Sequence, residues 1–187
     1  MTAQTPATAP TPKARQRGGS SAPPGPLAGG PALRVLACGE RARGDDAAGP
    51  LAVEAVVAGL PDELRERLDV RDCGGPDPVD MLDQPPGQPC LVVDAVVGVE
   101  PGEVVSLPLE SVAAGSTQLI PATTHTLSLP ETLALAATVR GHPVTGWLVG
   151  LGGARFCLGE PLSPDVAAAM PRFEAAIHDA IVRLAHD

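Results

Sequence analysis

Followed for apolar positions alone, the chain alternates between short unbroken apolar runs and longer segments in which apolar residues recur every three or four places. Val35 to Cys38 is a continuous apolar run ended by Gly39, the pattern of a central strand buried on both faces. Two adjacent carboxylates follow, Asp45 and Asp46, and then Val53, Val56, Val57 and Leu60 at the i, i+3, i+4, i+7 spacing of one helix face. This is a strand-turn-helix unit. Leu68 to Cys73 alternates as a second strand and ends at Gly74 and Gly75, and Val79 to Leu82 predicts a short helix. After a proline-rich break, Cys90 to Val97 reads as a buried strand that encloses one carboxylate, Asp94. A turn over Val99 to Gly102 leads to a short strand over Glu103 to Leu107, and the weak periodicity of Pro108 to Thr124 predicts a loop. Ser128 and Glu131 form an S-x-x-E capping box for a helix that Gly141 stops, which puts His125 just ahead of that helix. Val144 to Leu151 is the last strand. Ser163-Pro164-Asp165 opens a final helix with the stripe Val166, Met170, Phe173, Ile177, Ile181 and Leu184, and Pro171 is expected to kink it or break it after one turn.

Strands alternating with helices predict an α/β fold, a three-layer sandwich with a mostly parallel twisted sheet of about five strands flanked by helices, the Glu103 to Leu107 strand being antiparallel. Residues 1–31 are Ala, Pro, Thr, Gly and Ser with no apolar run, so they read as a disordered tail ahead of one domain over 32–187. With 44% hydrophobic residues, 2% aromatics, one Trp and no Tyr, the core must be built from Val, Leu and Ala. The net charge of −9 and pI near 4.8 oppose a nucleic-acid or anionic-membrane partner, since phosphates would be repelled. No stretch has the length of a membrane span or the apolar core of a signal peptide, so no membrane insertion and a cytoplasmic location are expected. Four scattered cysteines, Cys38, Cys73, Cys90 and Cys157, contain no CxxC pair and read as reduced, small apolar residues.

Three groups fall at the ends of separate elements and converge on the carboxyl edge of such a sheet: Asp46, Asp94 and His125. Two carboxylates and an imidazole suit a divalent transition metal such as nickel, zinc or iron. A plainer reading stands beside it for the first of them, because Asp45 or Asp46 can equally cap the following helix. Asp94 resists such a reading, since a carboxylate among apolar residues costs several kcal/mol unless it is paired or binds a cation. Neither a G-x-G-x-x-G fingerprint, a P-loop nor a G-x-S-x-G elbow is present. The glycine-rich segment Val149 to Phe156 reads as a tight turn, and His142, His178 and His186 as surface residues.

Six segments, in order from Arg43 to Pro171, resemble the nickel-iron hydrogenase maturation proteases: RGDDAAGP (Arg43 to Pro50), DCGG (Asp72 to Gly75), LVVDAV (Leu91 to Val96), THTLSLPETLALA (Thr124 to Ala136), WLVGLG (Trp147 to Gly152) and LSPDVAAAMP (Leu162 to Pro171). Each alone is weak; their order and spacing are specific. The resemblance implies an endopeptidase that removes a C-terminal extension from the precursor of the hydrogenase large subunit. It implies Asp46, Asp94 and His125 as metal contacts and catalytic groups, with nickel supplied by the substrate and no tightly bound cofactor of the chain's own. Asp45 would orient Asp46 or the helix start, Asp72 would support the site from the second strand, and a monomer is expected. This chain departs from the family at Glu40, where asparagine is usual, and at Gly152-Gly153, where glutamate and proline are common. Those departures leave room for a second reading, a non-catalytic module that binds the precursor or a maturation factor. A third is an unrelated small metal-dependent hydrolase.

Overall fold

The apolar run ahead of the two aspartates forms the central strand β1 (Leu33–Cys38), buried along its whole length. The computed structural model describes Met1 and residues 32–115, 120–121 and 127–186. In these, β1 is joined by β2 (Leu68–Cys73), β3 (Cys90–Val97), β4 (Val104–Pro108), the two-residue β5 (Ile120–Pro121) and β6 (Gly146–Gly152). The helices are α1 (Ala48–Gly59), α2 (Asp62–Arg65), α3 (Val79–Leu82), α4 (Leu109–Ala113), α5 (Leu129–Arg140) and α6 (Pro164–His186). The sheet order is β2-β1-β3-β6-β4, parallel except at β4, and β5 adds an antiparallel bridge at the end of β3.

Strand alternation sends successive side chains of β1 to opposite layers. Leu33, Val35 and Ala37 join Leu91, Val93, Val149 and Leu151 against α1 and α6, where Val166, Phe173, Ile177 and Ile181 are fully buried. Each such side chain contributes roughly 1.5–3 kcal/mol by leaving water. On the other face Leu36, Cys38, Cys90, Val92 and Leu148 meet Met81 of α3, Leu109 and Val112 of α4, and Leu129, Leu133 and Ala136 of α5. That makes three layers, as the alternation of elements predicts.

The connections decide where a ligand can sit. From β1 the chain passes over one face through α1 to β2, then over the other face through α3 to β3, on the far side of β1. The strand order therefore reverses between β1 and β3, and the carboxyl ends of these two neighbouring strands are where ligands bind in sheets of this kind.

Two expectations need correction. The segment read as loop contains α4, whose single buried pair, Leu109 and Val112, is too short a signal for periodicity to reveal. Pro171 does not interrupt α6, which runs unbroken from Pro164 to His186. Pro171 and Ala167 are both exposed, so the carbonyl deprived of its partner faces water, while the apolar stripe holds both halves of the helix to the sheet. The tail read over 1–31 lies, apart from Met1, outside the described residues. No helix among the described residues is long and apolar enough to cross a membrane.

Candidate functional site

At the carboxyl end of β1 the chain must turn sharply, and Gly39 does so at φ 120°. A Cβ at Gly39 would lie 2.0 Å from the Asp46 carbonyl oxygen, so no other residue fits the turn. Residues Gly44–Ala47 then form one 3₁₀ turn that runs into α1. Gly49 at the start of α1 approaches the Cys38 and Val93 carbonyls so closely that a Cβ would meet them at 2.5 and 3.0 Å. The turn is thereby seated over the ends of β1 and β3.

Asp46 is 1% exposed. Its Oδ2 accepts the Glu40 N–H at 3.0 Å, and its Oδ1 is buried with no hydrogen-bond partner. Neither Asp45 nor Asp46 caps a helix with its side chain, so the capping alternative is not realised. Asp94, paired with Gly150 across β3 and β6, is 7% exposed and lies near enough to Asp46 for their charges to interact. Burial, and then Asp46, push the Asp94 carboxyl up to about 8. Burial also raises Asp46, against the Glu40 N–H and the attraction of Arg43. No cation among the described residues offsets the charge of Asp94.

Two buried carboxylates that repel each other, one of them with an orphaned oxygen, form a donor set that a divalent cation would satisfy. Among the described residues no three His, Cys, Asp or Glu side chains converge to complete such a centre. His125, the third group expected from sequence, lies outside the described residues.

Asp45 does something the sequence does not reveal. Its Oδ2 accepts the N–H groups of Ala154 and Arg155 at 2.8 Å each, and its Oδ1 accepts that of Ser163 at 2.6 Å. Backbone bonds from Asp45 to Arg155, Gly44 to Glu160 and Gly159 to Ala42 complete the clamp. Burial alone would raise the Asp45 carboxyl, yet the three N–H donors hold it below its ordinary range. Asp45 thus fixes the segment between β6 and α6 to the Asp46 turn, rather than orienting the start of α1. Asp72 on the second strand accepts Arg41 of the same turn at 3.0 Å, on its exposed rim.

The departures at Gly152 and Gly153 have a steric reason. A Cβ at Gly152 would meet the Glu100 carbonyl oxygen at 2.1 Å, and one at Gly153 would meet the Phe156 ring at 2.5 Å and the Asp45 Cβ at 3.2 Å. Glycine there lets this segment close onto Asp45; the glycine-rich run was the only local signal of that clamp. Glu40 sends its carboxylate outward to Arg43 at 3.7 Å and touches Asp46 only through its backbone.

Comparison with known proteins follows the same lines. The sequence profile of the hydrogenase maturation protease (HycI) family matches residues 62–180, a span that starts after the Asp45-Asp46 turn and includes Asp94 and His125. Among solved structures, the hydrogenase maturating endopeptidase HybD from Escherichia coli superposes with a TM-score of 0.63 at 25% identity, covering 81% of this chain and 92% of that one. The nickel-iron hydrogenase maturation protease HybD from Thermococcus kodakarensis gives a TM-score of 0.60 at 21% identity over 79% of this chain and 97% of that one. The endopeptidase HycI from E. coli gives 0.57 at 22%, over 79% and 90%. The last two show likeness of fold alone. No curated protein sequence matches the chain.

Proposed function

We propose that this chain, which belongs to the hydrogenase maturation protease family and is a peptidase, removes the C-terminal extension of a nickel-loaded hydrogenase large-subunit precursor and recognises it through the substrate's nickel. The observation that carries the nickel reading is the buried pair Asp46 and Asp94, with Asp46 Oδ1 left without a partner. Such a pair is unfavourable while empty. A precursor that brings its own cation takes the place of the Asp94 proton and gives Asp46 Oδ1 a partner, whereas a precursor without one leaves that oxygen unpaired, so the site gains affinity only for the loaded form. His125 is proposed as the third contact, approaching from the segment ahead of α5.

The substrate's cation supplies Lewis acidity at the scissile carbonyl or at an attacking water. The chain's own residues hold and move charge around it. Below about pH 8 Asp94 carries a proton, which it must release when it meets a cation. Asp46 stays fixed by the Glu40 N–H, and Asp45 keeps the opposite wall in register with it. The large-subunit precursor is the partner in this reading, and the chain works as a monomer without a resident metal.

Incubating the nickel-loaded precursor with this protein and weighing the products tests the activity. A shortened C-terminus supports it. A precursor that stays intact but co-elutes with the chain supports instead the non-catalytic binding module, which the exposed Glu40 carboxylate keeps in view. Equilibrium dialysis of the isolated chain addresses the metal: stoichiometric, tight zinc or nickel binding without precursor would contradict a substrate-supplied ion.

A further inference from the structure

The four cysteines are scattered in sequence, but the sheet does not leave them so. Parallel pairing of β1 with β2 places Cys38 directly beside Cys73, the last residues of their strands, with the two Sγ atoms 3.3 Å apart. Both side chains belong to the layer that packs against α3, α4 and α5. Cys38 is fully buried, Cys73 is partly exposed, and a Cβ placed on Gly74 beyond it would meet nothing within 4 Å. The pair also lies beside the candidate site. The pairing of β1 with β3 ends at Ala37 and Val93, so Cys38 and Asp94 stand side by side one residue further on, and the charge of Asp94 is felt at Cys38.

We propose that Cys38 and Cys73 form a dithiol modification site that closes to a disulfide on reaction with a hydroperoxide and, through the Asp46 turn, slows the peptidase. The accessible partner is Cys73. Its thiolate attacks the peroxide oxygen, the O–O bond breaks, and the proton lost by the thiol goes to the departing alkoxide or hydroxide, leaving a sulfenic acid on Cys73. The Cys38 thiol then attacks that sulfur, an S–S bond forms, and hydroxide leaves as water with the Cys38 proton. Two electrons pass from the thiol pair to the peroxide. Cys90, fully buried, is near enough to Cys38 and Cys73 for their charges to interact but makes no Sγ contact with them among the described residues, and Cys157 is exposed, so the close pair is Cys38 with Cys73.

Closure reaches the site through backbone bonds. An S–S bond is about 2.05 Å long, so closure draws the two Sγ atoms together from 3.3 Å and the side chains and strand ends that carry them must adjust. The residue after Cys38 is Gly39, whose N–H is held by the Cys73 carbonyl at 3.0 Å, and the next N–H, of Glu40, holds Asp46 Oδ2 at 3.0 Å. A movement at Cys38–Cys73 is therefore passed on to the one hydrogen bond that orients Asp46.

The slowing of the peptidase rests on the proposed function; the cross-link does not, and the two are read separately. The full-length protein is treated with stoichiometric hydrogen peroxide, its free thiols are blocked, and it is digested without reductant for mass spectrometry. A peptide joining Cys38 to Cys73, lighter by about 2 Da than its reduced parts and abolished by dithiothreitol, is expected. Sulfinic acid on Cys73 with Cys38 still free, or a cross-link through Cys157, would overturn the site. With the cross-linked protein, cleavage of the precursor should fall about tenfold or more and recover on reduction, while Cys73→Ser stays insensitive to peroxide. Unchanged cleavage by fully cross-linked protein would overturn the coupling to Asp46.

Discussion

Replacing Asp94 by asparagine removes the group on which burial and charge repulsion converge, and its effect on stability has a definite sign. In the folded chain the Asp94 carboxyl titrates near 8, while in the unfolded chain it returns to about 3.9. Between those values the folded state binds one more proton than the unfolded state. Stability is therefore fullest below about pH 4 as far as this group is concerned, and falls as pH rises towards 8, at a limit of ~1.4 kcal/mol per unit. Asparagine has the same shape and does not titrate, so the variant escapes this loss. From pH 5 to pH 7 its stability relative to the wild type should rise by up to ~2.7 kcal/mol, which for a domain of this size is about 5–10 °C in melting temperature. Urea unfolding of both proteins at half-unit steps from pH 5 to 8.5 measures it, provided the slopes with denaturant stay equal. A gap that is constant across this range, or that narrows with rising pH, would refute the placing of Asp94 as a buried, cation-free acid.

Four further outcomes follow from the same geometry. Asp45→Ala strands three N–H groups across the clamp and should cost about 3–5 kcal/mol in urea unfolding, far more than an ordinary surface change. Gly153→Ala drives a methyl group into the Phe156 ring and should cost roughly 1–3 kcal/mol by the same measurement, less when Phe156→Ala is made with it. Ser128→Ala removes half of the capping box on α5 and should lower stability by about 1 kcal/mol. Weak nickel binding to the isolated chain, followed by calorimetry, should strengthen up to about tenfold per pH unit and level off above pH 8, because the Asp94 proton must leave.

What could be read from sequence was what depends on neighbours a few residues apart. Leu68 to Cys73 alternates, Ser128 and Glu131 stand at capping-box spacing, and both elements form with the expected limits. Asp94 was legible because a carboxylate inside an apolar strand has no inexpensive explanation. The Asp45 clamp joins residues 109 to 118 positions apart, and the Cys38–Cys73 pair exists only through the register of two parallel strands. The clamp's local trace is the glycine-rich run at Gly152 and Gly153, and the cysteine pair leaves none. The five-residue α4 is too short to show a period, and Pro171 misled because its cost depends on whether the freed carbonyl faces water.

Asp46 and Asp94 are proposed to read the nickel of the precursor. The initial rate of C-terminal mass loss, measured on nickel-loaded and nickel-free precursor with the wild type, Asp46→Asn and Asp94→Asn, tests it most directly. Cleavage of the loaded precursor alone, reduced about a hundredfold or more in both variants, is the result expected. Equal cleavage of the nickel-free precursor by the wild type, or undiminished cleavage by either variant, would contradict it.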